Sequence, residues 1–198
     1  MKKTFLAAAL AVAVSGAAHA QKSNISLGLK AGATYSSLEG ALANNYESIF
    51  GFHAGAFANI GITDFFAFQP EIIYSQKGAR VTNFEINTRL SYIDVPLAFH
   101  VNTNGLFFEA GPQIGLLVGA ADKKDNVTFD RKNLYNTFDF GYLAGLGYQR
   151  KDGLGIGLRY NGGFTKVEKP LVVGPLTIQN NFRNSTFQLY LTYSINER

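Results

Sequence analysis

Residues 25–35 read ISLGLKAGATY, and apolar residues alternate with small or polar ones at every step. Ile25 and Leu27 begin one series, while Ser26 and Lys30 belong to the other. A period of two is typical of a β-strand, because successive side chains point to opposite faces of a sheet. The stretch therefore predicts a strand whose two faces meet different surroundings.

The same alternation recurs in seven further segments, at 50–60, 66–74, 93–101, 108–118, 138–148, 154–160 and 187–195. In all eight segments the apolar series carries no charged residue, and the opposite series is rich in glycine and small polar side chains. A water-facing surface is about 25–35% charged. We therefore expect the apolar face to contact lipid and the opposite face to line a narrow interior. A soluble barrel of the lipocalin type, with these faces reversed, is the alternative.

The connections between the segments alternate in length. Short ones near 62–64, 102–105 and 151–153 alternate with long ones at 37–48, 78–87, 120–136 and 165–184. Outer-membrane barrels have short periplasmic turns and long extracellular loops, and in hydrocarbon a sheet must close because an open edge leaves backbone groups unpaired. The sequence thus predicts an all-β fold, an eight-stranded antiparallel up-and-down transmembrane β-barrel. Asn104-Gly105 and Asp152-Gly153 are dipeptides typical of hairpin turns.

Aromatic residues are expected to form girdles at both rims of the membrane span. Phe65, Phe66, Phe107, Tyr148 and Tyr193 lie near the short turns, whereas Tyr35, Tyr74 and Phe138 lie near the long loops. Three prolines, Pro70, Pro96 and Pro112, fall inside predicted strands, where each removes a backbone donor. We expect local bulges or unpaired positions there.

The first twenty residues have the three parts of a signal peptide in order. Lys2 and Lys3 are basic, residues 5–14 (FLAAALAVAV) are apolar, and Ala18-His19-Ala20 fits a cleavage site. Ten apolar residues are too few to span a bilayer as a helix, which needs about 20. The sequence therefore predicts a signal peptide at 1–20, a barrel domain at 21–198 and a bacterial outer-membrane location. An uncleaved N-terminal anchor is the alternative.

The amino-acid composition excludes several kinds of functional site and of binding partner. The chain of 198 residues contains no Cys, which excludes disulfides, thiolate zinc sites and thiol catalysis. Its net charge of +4 falls to +2 when Lys2 and Lys3 leave with the signal peptide. The remaining charges are scattered, so no nucleic-acid partner is predicted. Membrane lipids are the expected partners, and other envelope proteins remain open.

Several short motifs resemble those of a known family. Residues 69–78 read QPEIIYSQKG, and YIDVPL at 92–97, EAGP at 109–112, FDFG at 138–141 and Arg159-Tyr160 follow in order. Together they resemble the PorT-like outer-membrane β-barrel family of Bacteroidetes, over nearly the whole mature chain. The resemblance implies an outer-membrane barrel that accommodates these prolines, and it permits a secretion-related role without assigning one.

Five charged residues lie on the inward series at similar distances from the short turns: Lys30, Glu71, Asp94, Glu109 and Arg159. An eight-stranded barrel has room inside for little more than its own side chains, and buried charges must be paired. We therefore predict a structural lumen charge cluster that fills the barrel. A gated ion pathway or a binding site is the alternative.

Candidates for catalysis are few. Lipid-modifying barrels need a Ser with a His base, and His53 and His100 of the mature chain both fall on the inward series. His53 is the one candidate base. The charged run at 122–131 lacks the spacing of a calcium loop and is expected to be a solvated loop.

The sequence accordingly predicts no catalytic residue, no cofactor and no metal. The expected protein is a non-enzymatic outer-membrane barrel with a side-chain-filled lumen and long extracellular loops, in a structural, scaffolding or surface-interaction role. A small ion or solute channel is the alternative, followed by a lipid-modifying outer-membrane enzyme.

Overall fold

The structure, a computed structural model, describes residues 25–40, 46–82, 86–124, 127–173, 176–178 and 180–195. The predicted signal peptide lies outside the described residues. The strands are β1 (Ile25–Glu39), β2 (Tyr46–Gly61), β3 (Phe66–Val81), β4 (Ile86–Thr103), β5 (Leu106–Lys124), β6 (Val127–Asp130), β7 (Phe138–Gln149), β8 (Leu154–Gly163), β9 (Leu171–Val173), β10 (Leu176–Ile178) and β11 (Arg183–Ser194). A 3-10 turn spans Lys132–Leu134. Within the described ranges, helices capable of crossing a bilayer are absent.

Eight of these strands form a closed antiparallel barrel in the order β1-β2-β3-β4-β5-β7-β8-β11. Closure is made by β1 and β11, where Gly28 lies opposite Ser194 and Glu39 lies opposite Arg183. β6 extends the sheet beside β5, and β9 pairs with β10 in a separate two-stranded sheet. The predicted eight-stranded antiparallel barrel is confirmed.

The two faces of the strands have the predicted orientation. Leu29 is 58% exposed on the outside, whereas its neighbour Lys30 is 2% exposed in the lumen. Because the apolar series points outward, the soluble-barrel alternative is excluded. Phe107 is a correction to the predicted girdle: it is buried in the lumen and its ring stacks on His100 at 4.9 Å between centroids. It follows Leu106 and therefore has the parity of the interior.

Turns and loops lie at opposite ends of the barrel. At the short-turn end, Asn104 and Gly105 have φ of 48° and 91°, and Gly153 has φ of 88°, as the Asn-Gly and Asp-Gly pairs predicted. At the loop end the strands run further than predicted. β3 continues to Val81, and β4 already begins at Ile86. Part of the charged run that was predicted as a loop forms the β5–β6 hairpin. Backbone pairing thus continues beyond the segments in which apolar residues alternate with small or polar ones.

The three prolines are accommodated without any shift of register at their own positions. Pro70 lies opposite Leu97, and pairing resumes in the same register at Ile73 opposite Asp94. Pro112 lies opposite Tyr142 in an unbroken ladder between β5 and β7. The register shifts are elsewhere, between Ser48 and His53 in β2 and at Ser91–Tyr92 in β4. Pairing is interrupted on one side of each proline, toward β2 at Pro70, toward β3 at Pro96 and toward β4 at Pro112. The expected unpaired positions are therefore present, but the bulges do not coincide with the prolines.

An apolar cluster, here called the loop-end cap, closes the barrel at the loop end. It consists of Leu38, Ala79, Leu90, Tyr92, Leu117, Ala120, Tyr135, Val167 and Phe182. Three of these come from loops and are held by backbone bonds, from Asn136 N to Val167 O and from Val167 N to Phe182 O, each 2.8 Å. Burial, with Asp122 nearby, raises the pKa of the Tyr135 phenol. The phenol therefore stays neutral within this apolar cluster.

Candidate functional site

Four charged side chains from four strands meet in the middle of the barrel. Lys30 of β1, Glu71 of β3, Glu109 of β5 and Arg159 of β8 are all at most 3% exposed. We call these four residues the ion cluster. It contains two cations and two anions, so its charges balance.

Arg159 is the centre of the ion cluster. Its Nη1 and Nη2 donate to the two oxygens of Glu71 at 2.9 and 2.8 Å, and its Nε donates to Glu109 Oε1 at 2.8 Å. Nη2 also donates to Glu109 Oε2. The planar guanidinium thus forms a paired contact with each carboxylate, an arrangement that a lysine ammonium does not reproduce. One side chain ties β8 to both β3 and β5.

Lys30 and Tyr190 complete the inner contacts. Lys30 Nζ donates to Glu71 Oε1 at 2.6 Å and lies 4.1 Å from the centre of the Tyr190 ring. The Tyr190 hydroxyl donates to Glu109 Oε1 at 2.8 Å. Tyr190, on β11, therefore supplies both a π face for the cation and a donor for the anion.

Further polar side chains extend this network toward the short turns. Gln69 Nε2 donates to Glu71 Oε1 at 2.7 Å, and Asn59 Nδ2 donates to Gln69 Oε1 at 2.9 Å. His100 Nε2 lies 3.3 Å from Glu109 Oε2. Each carboxylate of the ion cluster therefore has polar contacts on both sides, as a buried anion requires.

The fifth predicted residue, Asp94, lies apart from this arrangement. It forms its ion pair with Lys77, whose Nζ is 2.9 Å from Asp94 Oδ2 and 3.0 Å from Oδ1. Lys77 was not among the predicted residues. It continues the inward series of Glu71, Ile73 and Ser75, so extending β3 past Tyr74 would have found it. The structure thus contains two separate charge clusters instead of one.

Small cavities lie inside the barrel, and two of them, lined by described residues, flank the ion cluster. The one toward the short turns is lined by residues that include Gln69, His100, Phe107 and Tyr190. The other, here called the upper chamber, is lined by Lys77, Gln113, Asp139, Gly141, Asn161, Gly162, Gly163, Asn184 and Thr186. Each has a volume of about 10 Å³, enough for one water molecule. The ion cluster separates them.

Residues 19–168 match the family described as outer membrane protein beta-barrel domain, which is most of the chain. The chain belongs to this family. Two solved structures of outer-membrane barrels share its fold. Neisserial surface protein A (NspA) has a TM-score of 0.55 and 17% identity, and the match covers 85% of this chain and 97% of NspA. Ail, the attachment invasion locus protein of Yersinia pestis, has a TM-score of 0.51 and 14% identity, and the match covers 86% of this chain and 98% of Ail.

At these identities the similarity concerns the fold. No curated protein sequence is significantly similar to the chain. The family places the protein in the outer membrane. The apolar residues on the outside of the barrel, here called the lipid-facing stripe, are the ones in contact with lipid.

Glycines on the inward face of this outer-membrane barrel give room to large interior rings. A Cβ added at Gly157 would overlap the Tyr190 ring, and one at Gly147 would overlap the Phe107 ring. The glycine-rich inward series is therefore required by the packing of the lumen. Its role was predicted from the sequence, but which ring lies against which glycine was not.

His53, the candidate base, points into the barrel away from lipid. It is 1% exposed, and its Nδ1 lies 3.1 Å from the Thr34 hydroxyl. Its ring meets the Tyr190 ring edge-on at 6.4 Å. His100 is also buried, so both histidines lie on the predicted inward face.

Proposed function

We propose that this outer-membrane barrel is a non-enzymatic, non-conducting envelope protein, whose filled lumen makes it a rigid support for its extracellular loops. The role is structural, scaffolding or surface-interaction, with membrane lipids as constant partners and other envelope proteins as further ones. The observation that carries the proposal is the position of Arg159, which bridges Glu71 and Glu109 across the lumen.

The packing around this bridge supports a closed lumen. The ion cluster is charge-balanced, so its members have no need of mobile counter-ions. The two cavities beside it are each about 10 Å³ and are too small for a hydrated ion and its path. The loop-end cap adds an apolar layer above them. An ion pathway would require both the ion cluster and the loop-end cap to open.

The remaining predictions from sequence belong to this proposal. We infer that residues 1–20 are a cleaved signal peptide and that 21–198 form the mature barrel. We also infer a PorT-like subfamily from the motifs at 69–78 and 92–97. The proteins with similar folds include one named as a surface protein and one named for attachment and invasion, which agrees with a role exposed at the cell surface.

The burial of His53 argues against the enzymatic alternative. A lipid-modifying base must reach the acyl chains or ester groups of a lipid, which lie outside the barrel. His53 is enclosed in the lumen beside Thr34 and Tyr190. We therefore assign it an internal packing role.

Planar-bilayer recording tests the closed lumen. We expect the folded wild-type protein to produce no current steps above those of bare lipid. Steps that change in ion preference with Glu71→Gln would instead establish the channel. Heat-unfolded protein added in the same detergent controls for leakage from detergent and aggregates.

Mass spectra of lipid A test the enzymatic alternative in the same way. Cells that express wild-type protein and cells that express His53→Ala are expected to have identical lipid A. A mass change that depends on His53 would overturn the non-enzymatic assignment. Surface display of the loops is tested by protease accessibility on intact cells.

A further inference from the structure

The upper chamber lies between the ion cluster and the loop-end cap. On β8, Asn161 is the next inward residue after Arg159 in the direction of the loops. Asp139 of β7 and both Asn184 and Thr186 of β11 face the same space. The chamber is therefore built by strands that also carry, or lie beside, the ion cluster, but it has its own set of polar groups.

The charges around the upper chamber do not balance. Lys77 is neutralised by Asp94, with both carboxylate oxygens within 3.0 Å of Nζ. Asp139 accepts hydrogen bonds from two neutral groups, Thr165 Oγ1 at 2.6 Å and Asn184 Nδ2 at 2.8 Å. Among the ion pairs of the described residues, none includes Asp139. Asp139 is thus a buried carboxyl group without a cationic partner among the described residues.

Both carboxylate oxygens of Asp139 accept a hydrogen bond from a neutral donor. The Thr165 hydroxyl accepts the backbone N–H of Phe140 at 3.0 Å, so its own proton is directed to Asp139 Oδ1. Asn184 donates to the other oxygen. Both oxygens act as acceptors, and each retains a lone pair for a further partner. A buried anion of this kind needs a positive partner.

Several polar atoms of the chamber residues have no protein partner. They are Asn161 Nδ2, Asn161 Oδ1, Asn184 Oδ1 and Thr186 Oγ1, and all are buried. The orientation of the Asn184 amide is set by its bond to Asp139, so the atom left free is its oxygen. Buried polar atoms without a partner are rare and indicate an unseen water or ion.

We propose that the upper chamber binds one monovalent cation of the sodium type. Asp139, Asn161, Asn184 and Thr186 supply the oxygen ligands. Oxygen ligands suit hard cations, whereas most transition metals prefer nitrogen or sulfur. The site offers one uncompensated carboxylate and room for a single small particle, and therefore matches one positive charge. Calcium takes six to eight oxygens and is a poorer match.

A water molecule in the upper chamber explains fewer of these observations than a cation does. A single water can satisfy some of the free amide and hydroxyl atoms, but it leaves the charge of Asp139 unbalanced. A cation satisfies the same oxygens and also neutralises the carboxylate. The site is independent of the conducting or non-conducting state of the lumen, so its test does not depend on the function proposed above.

The experiment measures thermal unfolding of the folded protein in detergent, in sodium, potassium and choline chloride at equal ionic strength. A ligand that binds only the folded state raises the unfolding midpoint with its concentration. We expect the midpoint to rise with sodium, and to rise less or not at all with choline. Equal midpoints in sodium and choline would overturn the proposal.

Asp139→Asn is expected to remove the difference between sodium and choline. The matched control is Asp122→Asn at the same end of the barrel, where Asp122 already has an ion pair with Arg131 at 3.8 Å. This control is expected to keep the full sodium effect. A sodium effect of normal size in Asp139→Asn would overturn the assignment of the site.

Thr186→Val provides a second variant if Asp139→Asn fails to fold. It removes one free oxygen with little change of shape. We expect about tenfold more sodium to be needed for half of the stabilisation, which corresponds to about 1.4 kcal/mol. If the variant instead loses the same stability in sodium and choline, the chamber holds only water and the proposal is wrong.

Discussion

Arg159 of β8 and Glu109 of β5 are 50 residues apart in sequence, and the Nε of Arg159 donates to Glu109 Oε1 at 2.8 Å inside the barrel. Both side chains are at most 3% exposed. Because neither group can recover water as a partner, the two depend on each other. The contact connects two strands of the barrel wall that are separated only by β7, whereas the bonds from Arg159 to Glu71 reach across the lumen to β3.

Arg159→Leu is expected to destabilise the barrel by about 3–5 kcal/mol, because it leaves two buried carboxylates to share the single charge of Lys30. Heat-modifiability on gels and urea unfolding of the folded protein measure the loss. The control is Arg150→Leu at an exposed ion pair with Asp152 (2.9 Å), which should change stability by less than about 1 kcal/mol. Equal behaviour of the two variants would contradict the structural role of the ion cluster.

Tyr190→Phe separates the contribution of the Tyr190 hydroxyl to stability from that of the Tyr190 ring. The variant keeps the ring that Lys30 faces but removes the donor to Glu109. We expect a loss of about 1.5–3 kcal/mol in the free energy of unfolding, as for a hydrogen bond to a charged group. Tyr193→Phe, whose side chain is outside and 51% exposed, should be near neutral. A neutral Tyr190→Phe would show that Glu109 does not need this donor.

Gly157→Ala tests the room reserved for the Tyr190 ring. The added methyl would overlap the ring, so either the ring or the strand must shift. Overpacking of this kind costs about 1–3 kcal/mol. At Gly119 the nearest atom to an added Cβ is 3.7 Å away, so Gly119→Ala should leave stability unchanged or slightly raised. The same urea titration compares both variants, and a harmless Gly157→Ala would refute this packing.

Leu189→Lys tests whether the outer face of the barrel contacts lipid. Leu189 is in the middle of β11 and is 55% exposed. A lysine near the bilayer midplane costs about 2–4 kcal/mol in folding into lipid vesicles. Leu134→Lys, in the 3-10 turn at the loop end and 48% exposed before substitution, is the matched control and should be tolerated. If Leu189→Lys folds into vesicles as well as the control, lipid does not contact this stripe.

The sequence predicted most of the fold correctly because its strongest signal is local. Alternation along each strand is visible in ten residues, and turn dipeptides such as Asn104-Gly105 mark where a strand reverses. The ends of the strands at the loop side were missed, since β3 and β4 continue pairing where apolar alternation has stopped. Phe107 was assigned to the wrong face by its place near the rim, although its parity was correct for the interior.

The candidate site was only partly predictable. Parity identified Lys30, Glu71, Glu109 and Arg159 as interior residues, and their rough depth suggested that they would meet. The partner of Asp94 was not predicted, because Lys77 lies beyond the recognised part of its strand. The upper chamber was not predicted, because Asp139, although part of the FDFG motif at 138–141, meets Asn161 and Thr186 only through two other strands.

The sequence by itself determined the number of strands in the barrel, their two faces and most of the residues that enter the lumen. Only the tertiary structure decided which acid meets which base, where the loop-end cap closes the barrel and which polar atoms remain without a partner. The physical reason is that alternation depends on neighbouring residues, whereas contacts such as Arg159–Glu71, 88 residues apart, depend on the register and closure of the whole barrel.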